Sequence, residues 1–111
     1  MKAPIFVYEP NDLGVFESVH DAELKVETYD VRDESFFYYD ADGQILAASV
    51  VKGDDGIERT VIHETAEKLF DEEGLREILL DFLIAVGQSK FDLDHLTLEE
   101  LAARTIEYST H

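Results

Sequence analysis

The residues that could form a metal site are few and scattered along this sequence. Its four histidines are His20, His63, His95 and His111. The segments DADG (40–43) and DLDH (92–95) could each offer oxygen or nitrogen ligands to a divalent metal. DADG lacks the glutamate that a calcium loop places at its twelfth position, here Val51, and its residues suit a turn. DLDH is interpreted as a polar loop before the last helix, so we predict no metal and no cofactor.

The sequence does not indicate nucleophilic catalysis either. It has no cysteine, which excludes a Cys–His pair, and no Gly-x-Ser-x-Gly, phosphate-loop or dinucleotide-binding motif. The segment HETAE (63–67) lacks the second histidine of a zinc protease. Carboxylates are so frequent that adjacent pairs such as Glu72 and Glu73 carry no catalytic information. We therefore predict a protein that is not an enzyme and has no catalytic residues.

Net charge is the strongest feature of the composition. The chain has 26 acidic and 9 basic residues, a formal net charge of -17, spread along its whole length. Such a molecule repels nucleic acid and anionic membranes, so the expected partner is a basic protein. Solubility or salt adaptation is the alternative explanation. Because cysteine is absent and the apolar run at 5–8 is too short for a signal sequence, we expect a cytoplasmic location.

The pattern of apolar and turn residues predicts one α+β domain over residues 1–111. A first strand is expected at 5–8, a loop at 9–14, and then a meander of three antiparallel strands. The meander strands are expected at about residues 34–40, 44–52 and 57–64. The segments DADG and GDDG, each with glycine in the fourth position, are predicted to form the tight turns between them.

Three helices are predicted from capping residues and from apolar residues at helical spacing. The first begins at its N-cap, Ser18. The second extends from Asp71 to Gly87, a residue type that commonly ends helices. The third begins at Thr97, which forms a capping box with Glu100. The predicted order is therefore βαβββαα, an antiparallel sheet with helices packed on it.

Four consecutive aromatic residues, FFYY at 36–39, precede the first turn of the meander. A strand with one solvent-exposed face needs an apolar residue only at every second position. If the turn has a three-residue loop, Tyr38 lies opposite Leu46 and Tyr39 lies opposite Ile45. Each face of the sheet then receives two aromatic rings.

Two explanations of these rings remain open. In the first, helices cover both faces of the sheet. Alternatively, one face is covered and the other displays either Phe36 with Tyr38, or Phe37 with Tyr39, to a partner.

The block from IFVYEPNDLGVFESVHDAE through VETYDVRDESFFYYDADGQIL carries an opening strand, an F-x-S-V-x-x-A-E helix and a YDxxG-x-x-L hairpin. In these features it resembles a loose family of small uncharacterised acidic bacterial proteins, some of which look like immunity proteins of toxin–immunity pairs. The resemblance covers about the first half of the chain. It implies binding to a protein, and it transfers no site residues because the shared motifs are turns and caps.

The leading hypothesis is a binding module, an immunity protein that neutralises a basic toxin by occluding its cleft. Acidic side chains can occupy a cleft built for phosphates, and opposite charge speeds the encounter. Aromatic anchors would add desolvated contact area. The candidate partner-binding residues are Phe36, Tyr38, Asp40, Asp42, Asp54, Asp55 and Glu58.

Two other classes of function also fit the sequence. One is a small enzyme or ligand-binding domain with a pocket between the sheet and the long helix, formed by Tyr38, Tyr39, His63 and Glu64. The other is an acidic, self-associating structural or accessory protein whose second sheet face is buried in a homodimer. A homodimer would form without other components, whereas an immunity protein needs its partner.

Overall fold

A computed structural model describes residues 1–10 and 12–109 of the chain. They form a five-stranded antiparallel sheet in the order β2-β1-β3-β4-β5, with helices on both faces. The strands are β1 (Ile5–Glu9), β2 (Asp12–Phe16), β3 (Phe37–Tyr39), β4 (Ile45–Lys52) and β5 (Glu58–Glu64). The helices are α1 (Val19–Lys25), α2 (Thr28–Arg32), α3 (Glu72–Ala85), α4 (Lys90–Leu93) and α5 (Leu98–Ser109). The predicted α+β class and the antiparallel meander are confirmed.

The sheet contains one strand more than the sequence pattern indicated. The loop predicted at 9–14 is wrong for its second half, because β2 begins at Asp12 and pairs with β1 along its length. Residue 11 lies outside the described residues. Leu13 and Val15 alternate as a half-buried strand requires, but Gly14 between them weakened the signal. The short helices α2 and α4 are further additions to the predicted order.

The two hairpins of the meander use the same turn. The N–H of Gly43 donates to the carbonyl of Asp40 at 3.1 Å, and the N–H of Gly56 donates to the carbonyl of Gly53 at 2.9 Å. Gly43 and Gly56 have φ angles of +82° and +78°, in the left-handed region that disfavours other residues. Both segments therefore form the predicted tight turns, and each sets the register of the strands it joins.

The predicted helix starts are confirmed by side-chain capping bonds. The hydroxyl of Ser18 accepts the third N–H of its helix at 3.0 Å, and Asp71 accepts from the N–H of Gly74 at 2.9 Å. Thr97 and Glu100 form both bonds of the capping box, at 3.0 and 3.1 Å. Each bond satisfies a backbone donor that the first helical turn leaves unpaired.

The sheet separates two apolar clusters, and this explains why aromatic residues occupy both faces. Tyr39 packs with Phe6 under α3, α4 and α5, whereas Tyr38 packs with Ile5 and Val7 under α1 and α2. The predicted pairings of Tyr38 with Leu46 and of Tyr39 with Ile45 are confirmed. Helices therefore lie on both faces, as the first of the two explanations required.

Candidate binding surface

The aromatic anchors predicted for a partner are part of the core. Tyr38 is only 7% exposed, and its burial, with a smaller contribution from the carboxylate of Asp30, raises the pKa of its hydroxyl. Phe36 packs at the edge of the same cluster, with its ring 6.4 Å from that of Tyr38. The exposed member of the four is instead Phe37, at 59%. The ring of Tyr38 is therefore part of the core and not a surface anchor in this fold.

Asp40 is also structural, contrary to its prediction as a partner-binding residue. Its carboxylate is 2% exposed and accepts backbone N–H groups of Lys2, Asp42 and Gln44 at 3.1, 2.9 and 2.9 Å. These bonds tie the first residues of the chain to the β3–β4 turn. Asp42 itself stays exposed, and its carboxylate lies 3.7 Å from the ammonium of Lys2.

The acids predicted at the β4–β5 turn are exposed, but two of the three already have cationic partners. Asp55 binds the guanidinium of Arg59 at 2.7 Å, and this bond, followed by the N–H of Ile57, lowers the pKa of the Asp55 carboxyl. Glu58 forms an ion pair with Arg32. This turn and the Asp40 turn lie at opposite ends of β4, about 25 Å apart at the rise of a strand. The predicted acids therefore do not form one surface.

The pocket predicted from Tyr38, Tyr39, His63 and Glu64 does not form, because neighbouring strand residues point to opposite faces. Tyr38 and Tyr39 lie in different clusters. Glu64 accepts from the side-chain amide of Gln44 at 2.9 Å and from the amino group of Met1 at 3.2 Å, and these groups, in that order, lower its pKa. Its role is to hold the first residue of the chain against β5.

One part of the sheet has no helix over it. Among the described residues, none of β4 beyond Ile45 and none of β5 joins the cluster under α3, α4 and α5. We call this surface the open face. It consists of Phe37 together with the β4 and β5 residues of the same side, which are Ala47, Ser49, Val51, Arg59, Val61 and His63. Ser49 and Val51 are exposed, and Ala47, Val61 and His63 are half-buried.

A serine–histidine pair lies on the open face. The ring Nδ1 of His63 is 3.0 Å from the carbonyl oxygen of Glu64, and its Nε2 is 2.8 Å from the hydroxyl of Ser49. Because a carbonyl can only accept, Nδ1 carries the proton of the neutral ring, and the Ser49 hydroxyl donates to Nε2. The Ser49 hydroxyl, the His63 ring and the Glu64 carbonyl are thus hydrogen-bonded in the order of a nucleophile, a base and an orienting group. Neither residue is among those that line the groove beside α3.

The open face continues into a groove beside the end of α3. The sheet register places Leu13, Tyr8 and Phe37 side by side, and the rings of Tyr8 and Phe37 are 6.5 Å apart. The groove has a volume of about 400 Å³, within the range of small-ligand sites. We call it the β2–α3 groove. Its principal lining residues are Tyr8, Asp12 and Leu13 of the first hairpin and Asp81, Phe82 and Val86 at the end of α3.

Unpaired acids border this groove. The carboxylates of Asp12 and Asp81 have no hydrogen-bond or ion-pair partner among the described residues, and both residues are exposed. Asp81 is also the last member of an exposed acidic row on α3, with Glu77 one turn and Glu73 two turns before it. The carboxylates of Asp12 and Asp81 are therefore not paired with a cation, unlike those of Asp55 and Glu58, although Arg76 and Lys90 lie beside the acidic row of α3.

Comparison with protein family models, curated proteins and solved structures gave no significant match. Over residues 1–10 and 12–109, no helix is both long enough and apolar enough to span a bilayer. The same residues contain no group of three or more histidine or carboxylate side chains arranged to hold a metal ion. Asp92, Asp94 and His95 of the DLDH segment are exposed around the end of α4. The features that bear on function are therefore the open face, the β2–α3 groove and the net negative charge.

Proposed function

We propose that this protein is a binding module for a basic protein, which contacts the open face and the adjoining β2–α3 groove. One observation supports the proposal most strongly. The cross-strand row of Leu13, Tyr8 and Phe37 continues across β4 and β5, so the groove and the open face form one surface. A surface of exposed aromatic and small apolar residues with a polar border is typical of protein interfaces.

Charge selects the kind of partner. The chain carries a formal charge of -17, and the acids nearest the groove have no cationic partners among the described residues. A second copy of the same chain would bring like charges together, which costs free energy. A basic surface gains from the same field, and its association is accelerated. An immunity protein that occludes the cleft of a basic toxin is the specific form of this function that we propose.

The test compares two serine variants at exposed apolar positions on opposite sides of the sheet. Phe37 lies on the open face, and Leu24, 71% exposed on α1, is the control. Proteins that the wild type retains from its own cells and secretions would be purified, and their affinities for both variants measured by surface plasmon resonance. We expect Phe37→Ser to weaken binding about tenfold or more, as for an interface anchor, and Leu24→Ser to leave it unchanged.

The same binding measurement, repeated at several salt concentrations, tests the role of charge, and an activity assay of the retained partner tests inhibition. Association of a basic partner should slow steeply as salt rises, because screening removes the attraction. An immunity protein should also abolish the partner's activity at a one-to-one ratio. A retained protein that binds Phe37→Ser as well as wild type, or that is acidic and insensitive to salt, would contradict the proposal.

A further inference from the structure

The β2–α3 groove presents two kinds of surface to a single ligand group, an apolar wall and an acidic border. Its walls are apolar, since Leu13 and Phe82 pack against the cluster under α3, and Val86 is 42% exposed at the helix end. Its border carries the carboxylates of Asp12 and Asp81, which come from separate elements and have no partner among the described residues. A guest that fits must combine an apolar body with a positive end.

The aromatic residues beside the groove further restrict which positively charged group can bind there. The ring of Tyr8 lines the groove, and the exposed ring of Phe37 lies beside it at 6.5 Å with an interplanar angle of 38°. Aromatic faces attract cations, and a planar guanidinium also stacks on them. An arginine side chain has the matching parts, which are an apolar stem, a planar cation and donors that can bind two carboxylates at once.

We propose that the β2–α3 groove receives a single arginine side chain of the basic partner. The guanidinium binds Asp12 and Asp81, and its stem lies along Leu13 and Phe82. This inference rests on the proposed function, because it names the group of the partner that the groove selects. Lysine is the weaker guest, since its compact ammonium cannot stack on Tyr8 or bind two carboxylates in one plane.

The inference can be tested without the partner. The probe is N-acetyl-arginine amide, titrated into isotope-labelled protein and followed by NMR shifts of backbone amides. N-acetyl-citrulline amide has a similar shape without the charge, and N-acetyl-lysine amide has the charge without the planar fork. We expect saturable shifts at Tyr8, Leu13 and Phe82 with the arginine probe alone.

Two variants with the same net charge distinguish binding to the groove carboxylates from attraction to the overall negative charge of the protein. Asp12→Asn/Asp81→Asn removes two carboxylates from the groove, and Asp54→Asn/Glu67→Gln removes two exposed, unpaired carboxylates elsewhere among the described residues. The first variant should bind the arginine probe about five- to tenfold more weakly, and the second should bind it as wild type does. Melting curves of both variants would establish that they are folded.

Four outcomes would overturn the inference. Equal weakening in both variants would mean that the probe senses only the net charge. Equal binding of citrulline would mean an apolar site, and equal binding of lysine would remove the choice of arginine. If the arginine probe does not bind while a basic partner still needs Phe37, the inference fails and the proposed function stands. If neither holds, both fail.

Discussion

At the scale of single residues, two acids two positions apart in the sequence show how burial gives similar side chains different roles. Asp40 and Asp42 belong to the same turn, yet only the first is buried and accepts three backbone N–H groups. A carboxylate in that position replaces the water that those donors would otherwise bind. The sequence pattern identified both residues as turn formers, but it could not show which one points inward.

Replacing Asp40 should therefore destabilise the fold. We expect Asp40→Ala to lower the free energy of unfolding by about 2–4 kcal/mol, since it leaves buried donors without an acceptor. Asp40→Asn should cost less, because its one oxygen can still accept. Urea unfolding followed by circular dichroism measures both.

Asp42→Asn is the matched control, because Asp42 is exposed and its ion pair with Lys2 is long. It should change stability little. If Asp40→Ala were no more harmful than Asp42→Asn, the three hydrogen bonds would not contribute to folding as we infer.

At the scale of elements, the outer edge of the sheet at β5 is protected by the helix beside it. The carboxylate of Glu23 on α1 accepts the backbone N–H of Ile62 at 2.7 Å, and the hydroxyl of Thr60 donates to the carbonyl of Val26 at 2.8 Å. An edge strand with free donors can pair with another chain. The first bond therefore occupies a backbone donor on β5 that a further strand would use, and the second holds the end of α1 against that edge.

Removing the edge contact should affect both local stability and self-association. We expect Glu23→Ala to accelerate hydrogen exchange at the Ile62 amide and to lower the free energy of unfolding by about 1–2 kcal/mol. Light scattering should show more association in high salt, where charge repulsion is screened.

Glu23→Gln keeps an oxygen acceptor and should leave the Ile62 amide protected. Equal exchange rates in the alanine and glutamine variants would show that the side-chain acceptor does not protect this edge.

Elements with local signals were predictable from the sequence, and elements defined by distant contacts were not. The capping box of Thr97 and Glu100 joins residues three apart, so the chain itself encodes it. The strand β2 is an exception, because it pairs with the strand just before it, but Gly14 obscures its alternation. The open face depends on where α3 and α5 pack, which no local pattern records. For that reason the sequence leaves open whether Phe36 with Tyr38 or Phe37 with Tyr39 faces a partner, the candidate residues include buried Tyr38 and not Phe37, and the groove is not predicted.

At the scale of the whole molecule, self-repulsion opposes the compact state. The described residues contain four ion pairs, including that of the terminal amine, against the 26 acids of the chain. The molecule is 51 Å long, and charges interact over about 30 Å at 0.01 M salt but over only about 8 Å at 0.15 M. Most of the repulsion is therefore removed by moderate salt.

We expect the melting temperature to rise by several degrees between 0.01 and 0.3 M NaCl, about 4–8 °C for each kcal/mol gained by a domain of this size. Differential scanning fluorimetry or calorimetry measures it. KCl at the same ionic strength should give the same rise, and sucrose at the same osmolarity should not. A flat or falling melting temperature would mean that the acids do not destabilise the fold. Binding of a basic partner should respond to salt in the opposite direction.

The uneven covering of the sheet also has a consequence for natural variation. On β4 the side chains under α1 and α2 alternate with those of the open face, so Leu46 and Ala48 are constrained by packing while Ala47, Ser49 and Val51 are not. If the open face binds the partner as proposed, a mutation at the second set alters recognition at little cost to folding. Lineages that adapt to different partners should therefore diverge first at every second position of this strand, with the positions between them unchanged.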